Sequence, residues 1–181
     1  MEKIPTLFVR DDSRRFVTTE YAVVLPEHAV ATVKYDGTSV MFDGMEWWAR
    51  REVKPGKTAP ENFVAVEHDQ TTGKTVGWIP MADSDWRPLV KEAVDRGDSY
   101  PKGTYELLGP KVNGNPCGLA RHMLYKHGYA VLPGFPTSPA SDVFDAVREL
   151  EESAEGVVWW ADGRPVAKLK KRDIPRDTGG E

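Results

Sequence analysis

Four short segments hold residue types that can do chemistry together. Lys34-Tyr35-Asp36-Gly37 closes an apolar run and sets an amine beside a carboxylate and a glycine. Alone it reads more readily as an ordinary hairpin corner. Gly103-Thr104-Tyr105-Glu106-Leu107-Leu108-Gly109 has the pattern of a strand. Alternation sends Thr104, Glu106 and Leu108 to one face and Tyr105 and Leu107 to the other. Glu106 then either meets water at an edge or serves a site. In Glu155-Gly156-Val157-Val158-Trp159-Trp160, alternation groups Glu155 with Val157 and Trp159, and Gly156 with Val158 and Trp160. Gly156 admits close approach of a ligand or of another backbone. In Ala167-Lys168-Leu169-Lys170 both lysines share a face with Leu169 opposite. Like charges so placed repel unless an anion lies between them, or unless the strand is a solvated edge. Together the segments supply a nucleophile, two carboxylates for a metal or a sugar, and paired cations for phosphate.

The elements that must position these residues are mostly strands. Residues 1–20 read as an extended arm with a charged cluster at Arg10, Asp11, Asp12, Arg14 and Arg15. From His28 to Val53 the pattern is strand-like, with Asp43-Gly44 as a hairpin turn. Residues 54–75 read as a long polar surface excursion, and TVGWIP as a short strand. A helix is predicted from an Asp83 or Ser84 cap to about Arg96 and Gly97, and a short one over 118–127. YAVLP reads as a strand. SPASDVFDAVRELEES is a helix capped by Ser138 or Ser141, with Val143, Phe144, Val147 and Leu150 on one face. Two further strands surround a turn at Asp162-Gly163. The expectation is a single α+β domain over 1–181, of mainly antiparallel sheets flanked by helices.

Composition narrows the class. Hydrophobic residues make up 40% of the 181 and charged residues 29%, enough for a core and a hydrated surface. No apolar run approaches the ~20 residues of a membrane span, and the early charges argue against a secretory signal. A single cysteine, Cys117, excludes an internal disulfide framework and points to a reducing, cytoplasmic setting. A net charge of −4 disfavours an architectural protein that coats nucleic acid, but leaves room for a locally basic pocket. His28, His68, His122 and His127 lack metal-ligand spacing, since the nearest pair is five apart.

Taken in order, Lys-x-Asp-Gly, a strand glutamate, Glu-Gly-Val-Val and Lys-x-Lys resemble the covalent nucleotidyltransferase superfamily of ligases and RNA-capping enzymes. The stretches IPTLFVRD and YELLGPKVNGNP are similar to the small stand-alone RNA ligase 1 family. The resemblance implies an ATP-dependent RNA ligase that joins 5′-phosphate and 3′-hydroxyl RNA ends through a lysyl-AMP intermediate, in RNA repair. It implies a ligase adenylation (ATP-grasp-like nucleotidyltransferase) domain with no C-terminal OB module, since eleven residues follow Lys170. Lys34 would carry the AMP, with Lys168 and Lys170 neutralising the α-phosphate. Glu106 would lie near the ribose, and Asp36 and Gly37 would shape the nucleotide-binding turn. One of Arg50 and Arg51 would hold ribose or phosphate. Glu155 would position magnesium, with manganese as a substitute. Lys54, Lys57, Lys111 and Asn113 are lesser candidates for phosphate contacts. Partners are then RNA and ATP, with no membrane and no deducible protein partner. The alternatives are a nucleotidyltransferase that adenylates RNA ends or another acceptor without sealing, and a non-catalytic nucleotide- or RNA-binding protein on the same fold. An acidic chain that holds RNA needs a locally basic face, and its binding must fall steeply with salt.

Overall fold

The computed structural model describes residues 2–95 and 97–176. It divides into two compact units, Met1–Lys3 with Asp36–His127, and Ile4–Tyr35 with Gly128–Glu181. Arg96, the expected end of the first helix, lies outside the described residues.

The second unit is built on a three-stranded antiparallel sheet in the order β11-β10-β3. Its strands are β3 (Val30–Tyr35), β10 (Ala154–Ala161) and β11 (Arg164–Lys170). Asp162 and Gly163 turn β10 into β11 with φ of 51° and 72°, the left-handed pair that a two-residue hairpin requires. Every second residue of β10 and β11 enters the core. Val157, Trp159, Ala167 and Leu169 are fully buried against Val143, Phe144 and Val147 of helix α2 (Ala140–Arg148). A short hairpin, β1 (Phe8–Arg10) and β2 (Val17–Tyr21), adds Phe8, whose ring meets Phe144 edge-on at 4.9 Å.

The first unit is a six-stranded antiparallel sheet in the order β6-β7-β5-β4-β8-β9. The members are β4 (Thr38–Phe42), β5 (Trp47–Val53), β6 (Val64–Asp69), β7 (Lys74–Pro80), β8 (Gly103–Leu108) and β9 (Met123–Lys126). Helix α1 (Arg87–Val94) supplies Val90 and Ala93 to a core of Val40, Ala49, Ile79, Tyr105 and Leu107. Asp43 closes the β4–β5 turn by accepting the amides of Met45 and Glu46 at 2.8 and 2.9 Å.

This architecture corrects the expected class. Eleven strands stand against two α-helices among the described residues, so the protein is β-rich rather than an α+β fold with flanking helices. Three local expectations change with it. Residues 118–127 hold strand β9 and no helix, because β8 offers an open edge whose register, Tyr105 opposite Lys126 to Leu108 opposite Met123, satisfies their backbone. The 54–75 excursion contains β6, an edge strand too exposed to show a buried face in its residue pattern. YAVLP contracts to one bridge, Val131 to Thr32. The expected arm at 1–20 is the β1–β2 hairpin, with its charged cluster at the turn, where Asp11 accepts the amides of Arg15 and Phe16. The caps also move. Helix α1 follows Trp86 and α2 follows Pro139, and neither receives a side-chain cap from Asp83, Ser84, Ser138 or Ser141. Among the described residues, no helix is long and apolar enough to cross a membrane.

Candidate active site

The three-stranded sheet has one face committed to the core, and the register fixes what its other face carries. Lys34 stands opposite Gly156, and Gly156 stands opposite Lys170. One step along, Thr32 stands opposite Val158 and Val158 opposite Lys168. Residues directly opposite in an antiparallel ladder point to the same side. Three lysines from two strands therefore share the face that the core does not use.

Glu155 joins them against simple alternation. Counting by twos assigns it to the side of Val157 and Trp159, which are fully buried. Between Ala154 and Gly156, however, β10 advances two residues while β3 advances one, from Tyr35 to Lys34. Glu155 is the extra residue of a bulge, and a bulge re-aims the side chain it carries. The result is a carboxylate held from both sides. Oε2 accepts from Lys34 Nζ and Oε1 from Lys170 Nζ, each at 2.5 Å. The Glu155 side chain is 11% exposed, and the two lysines 21% and 17%. Arg172 Nη2 approaches Oε1 at 3.7 Å.

The electrostatics follow from that crowding. Burial opposes ionisation of Glu155, yet the Lys34 charge and the hydrogen bonds from both lysines outweigh it, holding the carboxyl below its usual range. Among the described residues, Lys168 has no such partner. Burial, then the like charges of Lys170 and Lys34, pull its ammonium down to about 8. Its backbone is fixed from outside the sheet, since Lys168 N donates to Pro5 O and Leu7 N donates to Lys168 O, both at 2.9 Å. The IPTL stretch near the start of the chain thus clamps the edge that presents this lysine. Three lysines to one glutamate leave the face short of negative charge, as an anion-binding surface requires.

Gly156 keeps the row open. An added Cβ would strike the Leu169 carbonyl oxygen and lie 2.7 Å from Lys170 Cα. The close approach expected of this glycine is to the neighbouring strand.

Glu106 and the Asp36-Gly37 turn belong to the other unit. Glu106 Oε1 accepts the Gly37 amide at 3.0 Å, and its Oε2 lies 2.7 Å from His127 Nε2. Asn113 Nδ2 donates to Asp36 Oδ1 and to Gly37 O at 3.0 and 2.9 Å. The turn that follows Lys34 is thereby tied on both sides. Arg50 is half-buried opposite Trp78, whereas Arg51 is exposed opposite Gly77. Lys54, Lys57 and Lys111 are exposed. Of the tryptophans, Trp47 packs against Tyr100 and Tyr105, and Trp48 donates to Asp43. Trp159 is core, and Trp160 lies on the lysine side by register.

Two participants escaped the sequence reading. Arg172 lies two positions beyond Lys170, but the strand ends there, and a 3-10 turn over Lys171–Asp173 is what brings it towards Glu155. His127 gave no signal, since its role depends on β9 pairing with β8.

Among the described residues, no three His, Cys, Asp or Glu side chains are grouped to hold a metal ion. Both oxygens of Glu155 are taken by ammonium groups. This set does not by itself fit magnesium, which prefers one or two free carboxylates beside phosphate oxygens and water.

Compared with known proteins, the chain matches no family model. It matches no curated protein sequence either.

Proposed function

We propose that this chain is an ATP-dependent RNA ligase of the cytoplasm that joins 5′-phosphate and 3′-hydroxyl RNA ends through a lysyl-AMP intermediate, in RNA repair. The observation that carries the reading is the convergence of Lys34 and Lys170 on Glu155, with Lys168 on the same face.

At rest Lys34 Nζ donates to Glu155 Oε2. An arriving triphosphate meets Lys168 and competes with Glu155 for Lys170, and the two charges offset the negative charge that builds on the α-phosphate. Lys34 becomes a nucleophile only when its proton leaves. The nitrogen lone pair then forms a P–N bond to the α-phosphorus. The bond from that phosphorus to its bridging oxygen breaks, and pyrophosphate departs. The 5′-phosphate of RNA next displaces Lys34 and becomes an adenylated end. A 3′-hydroxyl attacks that end, and AMP leaves. The Gly37 turn, held by Glu106 and Asn113, fixes the backbone just beyond the nucleophile.

The test is intact-protein mass after incubation with ATP, followed by addition of 5′-phosphorylated nicked RNA. The expected result is one AMP retained through denaturation, lost from Lys34→Ala, and a joined strand in the wild type. Retained AMP without joined RNA would convert the reading to an adenylating enzyme that does not seal. Absence of covalent AMP with every nucleoside triphosphate would end it.

A further inference from the structure

The second unit carries a cleft of about 640 Å³ that the lysine row does not use. Its walls come from the β1–β2 turn, which gives Arg15 and Phe16, and from the segment after β11, which gives Lys171, Arg172, Asp173 and Arg176. Four of these are cations and one is an acid. The acid is already answered, because Asp173 is 5% exposed and Arg10 Nη2 holds its Oδ2 at 2.8 Å. Lys171 is engaged too, donating to the Leu150 and Glu151 carbonyls at 2.6 and 2.8 Å. Arg15, Arg172 and Arg176 remain, all exposed. The Arg15 guanidinium lies 5.0 Å from the centre of the Phe16 ring.

This is a concentrated reversal of sign in a chain whose net charge is −4. Guanidinium forks match phosphate oxygens in pairs, and here they come from two separate segments, so positive charge is spread along the cleft rather than focused at one point. A half-buried aromatic ring in the wall suits a base or ribose better than a bare phosphate. Arg172 lines the cleft and also approaches Glu155. One end of the cleft therefore abuts the lysine row.

From these features we infer that the cleft holds the phosphate backbone of the RNA strand, with Arg15, Arg172 and Arg176 as phosphate ligands and Phe16 as an apolar wall. The inference rests on the RNA-ligase reading for the identity of the strand, but its measurement does not.

The test is fluorescence anisotropy of a labelled, 5′-phosphorylated single-stranded RNA, without ATP, across a salt series. The Arg15→Gln/Arg176→Gln double variant is compared with wild type and with a charge-matched control on α1, Arg87→Gln/Lys91→Gln, after thermal melts establish that both are folded. The cleft variant is expected to bind roughly tenfold more weakly and to lose about 1.4 from the slope of log K against log salt, ~0.7 for each cation on a single strand. The control is expected to stay within about twofold. Equal weakening by both variants, or none by either, overturns the inference. Displacement of the RNA by inorganic tripolyphosphate as readily as by unlabelled RNA also overturns it, since the cleft would then serve a short polyphosphate. A wild type that binds RNA through this cleft yet never loads AMP would sink the ligase reading and leave the cleft standing.

Discussion

Lys34 and Lys170 face one another across a residue that has no side chain. Gly156 lies between them in the same cross-strand row, and the carboxylate they share comes from the residue before it. Two ammonium groups that would otherwise repel are thus joined through Glu155, and a third lysine stands one step away without such a partner among the described residues.

Lys34→Ala is expected to abolish covalent AMP capture while leaving the melting temperature within a few degrees of wild type. Glu155 keeps Lys170 when Lys34 is gone, so no carboxylate is stranded. Mass spectrometry after ATP exposure checks the first part and a thermal melt the second. AMP retained on the variant would mean another nucleophile.

Removing the carboxylate is a different matter. Glu155→Ala leaves two partly buried lysines, Lys34 and Lys170, without their counter-charge, and is expected to cost about 2 kcal/mol, less than a fully buried pair because the lysines retain some water. Urea midpoints measure this. A variant as stable as wild type would show that the paired contacts contribute nothing net.

Gly156→Ala tests the row's geometry. The new methyl group meets the β11 backbone rather than a movable side chain, so a loss of roughly 2 kcal/mol or more is expected, together with slower AMP loading. Unchanged stability and loading would mean that β11 can move aside freely.

The pH dependence has two parts of opposite sense. The Glu155 carboxyl is held low in the folded protein, so its contribution is present above the ordinary carboxylate pKa and is lost as pH falls through its folded value. The Lys168 ammonium is lowered from 10.5 to about 8. Between those values the unfolded chain binds the proton more than the folded one does, so stability attributable to this group rises with pH. Lys168→Met is expected to flatten that rise in urea titrations taken across the window. The same titration removes a positive charge, so triphosphate affinity of the wild type should weaken above about pH 8, and not in the variant. Parallel stability curves for the two proteins would remove Lys168 from this account.

In the other unit, Glu106→Ala deprives the Gly37 amide and His127 of their acceptor. A cost of about 1–3 kcal/mol is expected. If thermal melts of Glu106→Ala and His127→Ala show independent, additive losses, the two residues do not act as one network.

Composition, turn chemistry and alternation made much of this protein legible in one dimension. The Asp43-Gly44 and Asp162-Gly163 turns, the strands they join, the buried stripe of α2 and the pairing of Lys168 with Lys170 on one face all follow from local rules, because each depends on residues a few positions apart. What the tertiary structure decided are the matters that depend on distant partners. Residues 123–126 became a strand because the edge of β8 was open to them. His127 became a partner of Glu106 through that same pairing. Most tellingly, Glu155 left the face that counting by twos assigned to it, because register between β10 and β3 slips by one residue at that point. Side-chain direction along a strand is a local property only while the ladder is regular; a bulge arises from the fit between two strands, and only the folded chain brings them together.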